Sequence, residues 1–75
     1  MTHMDIPTVF ARNLRRMRAE KGWTQQELAD LAHIDRTYLS ALERGAYSAT
    51  IDMVAKIAGA FGVEPAAMLQ RDHGR

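Results

Sequence analysis

The chain has 75 residues, ten Lys/Arg against nine Asp/Glu, three His and no Cys. That length holds one compact domain, and the missing cysteines exclude both a disulfide framework and a thiolate zinc site. No apolar run approaches the roughly 20 residues a membrane helix needs, and the first residues lack the apolar core of a signal peptide. A 47% hydrophobic and 25% charged composition is that of a soluble globular chain, and a cytoplasmic protein fits the lack of cysteine. The net charge of +1 is no footprint of a nucleic-acid partner by itself. Its distribution is uneven: Arg12, Arg15, Arg16, Arg18 and Lys21 face only Asp5 and Glu20 in the first stretch. Such a run is either a solvated helix face or an anchor for phosphate.

In chain order, the first helix is predicted over 6–21. Asp5 caps it, Pro7 is tolerated in the first turn, and Ile6, Phe10, Leu14 and Met17 form an apolar stripe. Gly22 stops it. The second helix, over 25–32, opens at Thr24 with Glu27 at the capping-box spacing, and Leu28, Leu31 and Ala32 supply its apolar face. The third, over 36–44, has Asp35 as N-cap and Gly45 as left-handed stop. The fourth, over 51–61, follows Thr50 and carries Ile51, Val54, Ile57, Ala58 and Phe61 on one side. A short fifth helix runs over 65–70 from a first-turn Pro65. No segment alternates with period two, so an all-α domain over 6–70 is expected, with flexible termini at 1–5 and 71–75. The shared core is predicted to contain Phe10, Leu14, Met17, Trp23, Leu28, Leu31, Leu39, Leu42, Ile51, Val54, Ile57, Phe61 and Leu69.

The second and third helices are separated by little more than His33 and Ile34. That is the spacing of a helix-turn-helix over about 25–44, although an unrelated helical hairpin has the same outline. The third helix separates its faces. Tyr38, Leu39 and Leu42 gather on one side and Arg36, Thr37, Ser40, Ala41 and Arg44 on the other. The second face is small, polar or cationic and free of long acidic side chains, so it suits close approach to an anion. Arginine can bind guanine in bidentate fashion, and Thr and Ser reach bases or phosphates. Gln25 and Gln26 stand where free backbone N–H groups favour a phosphate.

The stretch Thr24-Gln25-Gln26-Glu27-Leu28-Ala29, followed by the run from Asp35 to Gly45, resembles the phage-repressor/Cro (xenobiotic-response-element) helix-turn-helix family. Lys21-Gly22-Trp23 before it and Phe61-Gly62-Val63 after it extend the resemblance from Phe10 to Leu69. The run Asp35 to Ser40 is also similar to controller proteins of restriction-modification systems. The resemblance implies a compact five-helix, lambda-repressor-like domain that binds double-stranded DNA. It implies base reading by Arg36 and Thr37, with Ser40 and Ala41 one turn on. It implies phosphate contacts from Gln25, Thr24, Arg44 and Tyr47, and a partly buried ion pair between Arg18 and Glu43. It departs at the turn, where His33 replaces the usual glycine; histidine tolerates the left-handed region with some strain.

Such a module holds few contacts alone, so a homodimer on a (pseudo)palindromic operator is expected. Its interface is predicted on the fourth and fifth helices, at Met53, Ala66, Ala67 and Met68, where apolar residues exceed the amphipathic pattern. A repressor needs no further partner; an activator would also touch RNA polymerase. The alternative from the same fold is an antitoxin that grips a protein, although little chain remains beyond Leu69 for that grip. An enzyme is not expected. His3, His33 and His73 are scattered, Asp35 is better used as a cap than paired with Asp30, and neither metal nor cofactor is implied.

Overall fold

The computed structural model describes residues 5–71. Four α-helices follow one another, α1 (Ile6–Lys21), α2 (Gln25–Ala32), α3 (Arg36–Glu43) and α4 (Ile51–Phe61), and a 3-10 helix over Pro65–Leu69 closes the order. No strand occurs among the described residues. The fifth helix expected over 65–70 is therefore corrected to a 3-10 helix of five residues. Glu64 offers it no side-chain cap and Gln70 is already extended, and so few residues do not support a ladder of i→i−4 bonds.

The local starts follow side-chain chemistry. The Asp5 carboxylate accepts the Thr8 N–H at 3.0 Å, so this residue, expected to be flexible, is the ordered N-cap of α1. Of the other termini expected to be flexible, Arg71 is described as exposed, and 1–4 and 72–75 lie outside the described residues. Thr24 and Glu27 form a reciprocal capping box, Glu27 N–H to Thr24 Oγ1 at 3.0 Å and Thr24 N–H to Glu27 Oε1 at 2.8 Å. Thr50 accepts the Met53 N–H at 3.0 Å to start α4.

The core gathers Phe10 and Leu14 of α1, Leu28, Ala29 and Ala32 of α2, Leu39 and Leu42 of α3, Val54, Ile57, Ala58 and Phe61 of α4, and Met68. Met17 and Trp23 lie partly buried against it, and the Trp23 ring stacks on Phe61 at 5.3 Å between centroids. Helix α1 packs on α3 and on the 3-10 helix, α2 on α3 and α4, and α4 on the 3-10 helix.

Three residues expected in this core stand outside it: Leu31 is 50% exposed, Ile51 88% and Leu69 36%. Leu31 lies about 60° outside the arc that Leu28, Ala32 and Ala29 cover at 100° per residue, and Ile51 about 20° outside the buried arc of α4, on its first turn. Leu69 exchanges places with Met68, which is 0% exposed. In a 3-10 helix neighbours are about 120° apart, so when Met68 points inward Leu69 points out. Met68, expected at an interface, is thus a core residue.

Candidate nucleic-acid interface

The turn between α2 and α3 is tight because His33 adopts φ 59°, ψ 46°. It is the one described non-glycine residue with positive φ. That conformation lets the His33 N–H reach the Asp30 carbonyl at 3.3 Å and the Ile34 N–H reach the Ala29 carbonyl at 2.9 Å, closing α2. Lys56 Nζ of α4 donates to the His33 carbonyl at 3.3 Å and ties the turn to the scaffold. Asp35 then accepts the Thr37 N–H at 2.9 Å and the Tyr38 N–H at 3.3 Å, and α3 begins.

The far end of α3 is held by Glu43, a carboxylate only 4% exposed. Arg18 of α1 binds it in bidentate fashion, Nε to Oε2 at 2.6 Å and Nη2 to Oε1 at 2.9 Å. The third Arg18 nitrogen, Nη1, donates to the Trp23 carbonyl at 2.8 Å. Gln25 Nε2, from the first turn of α2, adds a bond to Glu43 Oε1 at 3.0 Å. Arg15 donates to the Glu43 backbone carbonyl. The hydrogen bond to Glu43 raises the Arg18 pKa further above its ordinary value, against the opposing effect of partial burial. One buried carboxylate therefore joins α1, α2 and α3 and sets the angle of the helix that faces outward.

The face left outward is polar and cationic. Arg36 and Thr37 are exposed on the first turn of α3, and Ser40 is half-buried one turn on, its Oγ accepting from Arg44 Nη1 at 2.9 Å. Thr24, Arg44 and Tyr47 are exposed, and Gln25 is half-buried. Ala41, assigned to the same face from sequence, is buried, since α3 is packed upon by both α1 and α2 and its outward face is narrower than the periodicity suggests; its methyl is not available to a base. Of the arginines on α1, Arg15 is engaged with Glu43, and Arg16 with Glu20 at 3.4 Å and Asn13 at 3.3 Å.

Three features escaped the sequence reading. The bond from Gln25 to Glu43 joins residues 18 positions apart, and no local pattern encodes it. Tyr47, in the loop after α3, lies over Tyr38 with ring centroids 6.3 Å apart. Asn13 is buried in α1 and bonded to the backbone beyond α4; its signal was a polar residue between Phe10 and Leu14 on the apolar side. Among the described residues no cluster of three or more His, Asp or Glu could hold a metal ion, and no helix is long and apolar enough to cross a membrane.

Comparison with known proteins agrees with this geometry. A family model described as helix-turn-helix matches residues 14–68. A hypothetical transcription factor of Neisseria meningitidis is 44% identical over 59 residues, which cover 79% of this chain and 56% of that protein. The chain thus spans little more than half the length of that relative. The control protein C.BamHI of Bacillus amyloliquefaciens is 35% identical over 66 residues, 87% of this chain and 82% of that one. Among solved structures, the restriction-modification controller protein C.Esp1396I, a tetramer in complex with its natural 35 base-pair operator, superimposes with a TM-score of 0.79 at 29% identity. That match covers 88% of this chain and 87% of that one. By the family match over most of its length, and by these relatives, this chain belongs to the helix-turn-helix family of phage-repressor and Cro type.

Proposed function

We propose that this protein is a sequence-specific DNA-binding transcriptional regulator, not an enzyme, that docks α3 in the major groove of a two-fold symmetric operator as a homodimer. The observation that carries the reading is the tip of α3. Arg36 and Thr37 are exposed there, on a helix whose other end is locked by the buried Glu43. The guanidinium groups of Arg15 and Arg18 are engaged within the fold, whereas Arg36 stands at the exposed tip, with the planar fork that suits guanine O6 and N7. Thr37 and Ser40 contact bases or adjacent phosphates. Thr24, Gln25, Arg44 and Tyr47 position the backbone; Gln25 does so with the second Nε2 hydrogen, the one that Glu43 does not take. The tetramer that a related controller protein forms on its operator supports self-association here. The face suited to a second copy is aliphatic: the exposed Ile6 and Leu69 line two grooves, and the exposed Ile51 and Ala66 line one of them. Met53 and Ala67, expected in the same patch, are half-buried and line neither groove, and Met53 packs against the core. Two such copies would address half-sites about 34–36 Å apart. A DNA target places the protein in the cytoplasm, and an activator would add RNA polymerase as a partner.

Footprinting on the DNA upstream of the protein's own gene, followed by titration of cognate and scrambled duplexes, tests this. Arg36→Ala is expected to cost about 1–3 kcal/mol per half-site on cognate DNA and to relax preference at one base pair. Gln25→Ala is expected to weaken both duplexes alike. Equal affinity of the unaltered protein for cognate and scrambled DNA would remove the reading.

A further inference from the structure

Asn13 is 2% exposed, on the side of α1 that also buries Phe10 and Leu14. Its amide is fully used: Nδ2 donates to the Met68 carbonyl at 2.9 Å and to the Gln70 carbonyl at 2.8 Å, and Oδ1 accepts from Arg16 Nη2 at 3.3 Å. Turning the amide over would aim its oxygen at two carbonyl oxygens, so the partners fix its orientation. An apolar residue would suit this position without any such requirement; a buried amide is tolerable only with every bond made.

The two carbonyls flank Leu69. The 3-10 helix that carries it has no side-chain cap, and its apolar anchor is Met68, an unbranched and adaptable side chain. A short 3-10 helix anchored by packing alone can turn by about 120° and exchange Leu69 for Met68 in the core, since both are apolar and similar in volume. The Asn13 bonds fix which of the two points inward. With Met68 inside, Leu69 joins Ile6, Ala49 and Val54 in lining two adjoining grooves of about 210 and 290 Å³. No charged residue lines either groove, and Ile51, 88% exposed, is part of the wall of the larger one. An uncharged, aliphatic face of this kind needs an apolar cover, and the tetramer of the related controller protein C.Esp1396I points to a second copy of this chain as that cover.

We propose that Asn13 is a positioning residue for self-association: its paired bonds to Met68 and Gln70 hold Leu69 outward, and a second copy of this chain packs on the face that Leu69 completes. The inference rests on the homodimer reading above. The test is sedimentation equilibrium of the full chain, with and without operator DNA, for the unaltered protein, Asn13→Leu, Leu69→Ala and the double variant, each checked for helicity by circular dichroism. The unaltered protein is expected to dimerise, and each single variant to dimerise about tenfold more weakly, as for loss of an interface anchor. The double variant is expected to be no weaker than Leu69→Ala, because Asn13 acts through Leu69. A folded Asn13→Leu that dimerises as tightly as the unaltered protein overturns the role of Asn13 and leaves the homodimer intact. An unaltered protein that stays monomeric under both conditions overturns both. If Asn13→Leu does not fold, the Asn13 side-chain amide hydrogens of the unaltered protein decide by NMR. Slow exchange with solvent together with Leu69 methyl contacts across the dimer supports the proposal; fast exchange, or the absence of those contacts, refutes it.

Discussion

Arg18→Met isolates the Glu43 hub. It leaves a carboxylate 4% exposed with Gln25 as its remaining side-chain donor, and it removes the bond to the Trp23 carbonyl. Deleting one partner of a buried pair costs about 3–5 kcal/mol. Arg18 is itself 22% exposed, so water reaches part of the vacated site; the lower end, about 3 kcal/mol, is expected for the pair. The lost bond to Trp23 adds about 1 kcal/mol. At roughly 0.05–0.15 kcal/mol per residue a domain of this size is stable by only about 4–11 kcal/mol, so the single variant loses between about a third and all of its stability. The double variant Arg18→Met/Glu43→Leu removes both charges and is expected to recover about 2–3 kcal/mol of the summed single effects. Urea titration followed by the fluorescence of Trp23, the sole tryptophan, which is stacked on Phe61, reads the cycle. Additivity of the two substitutions within about 0.5 kcal/mol would show that the hub carries no coupling energy and would refute the reasoning.

Leu42→Ala, at a position with no exposed surface, is expected to cost about 2–5 kcal/mol by urea titration; a loss under about 1 kcal/mol would mean that the core between α3 and its neighbours collapses to fill the gap. His33→Gly relieves a non-glycine residue at φ 59° while keeping the carbonyl that Lys56 binds, so a gain of up to about 1 kcal/mol in thermal or urea stability is expected. A loss instead would mean that the imidazole contributes more than its backbone conformation costs. Hydrogen bonds from Thr8, first from its side chain and then from its backbone N–H, lower the Asp5 pKa below 3.8. A depressed folded value means that the cap contributes its full stabilisation above 3.8 and loses it as pH falls further, through the folded pKa. The Thr8 amide shift should follow that titration in an acid series and stay flat in Asp5→Asn; an unaltered protein with no change in that range would contradict the cap.

The helices were legible because their ends are encoded locally. Asp5, Thr24, Asp35 and Thr50 each accept an N–H within the next three residues, and the stripes that fill the core recur at helical spacing. The outward face of α3 was legible for the same reason at Arg36, Thr37 and Ser40. Periodicity assigns a face, however, and not what meets it. Ala41 is buried because the packing of neighbouring helices on α3 reaches further round it than its pattern shows, and Leu31 and Ile51 are exposed because no element covers the edges they occupy. The exchange of Met68 and Leu69 was beyond local reading altogether: it turns on a 3-10 rather than an α geometry, and on an amide 55 residues earlier in the chain. Caps and stripes are interactions within a turn or two, so sequence by itself determines them. Which flank is covered, which carbonyl Asn13 finds and which three helices Glu43 joins depend on the packed arrangement, because those partners meet only after the chain has closed on itself.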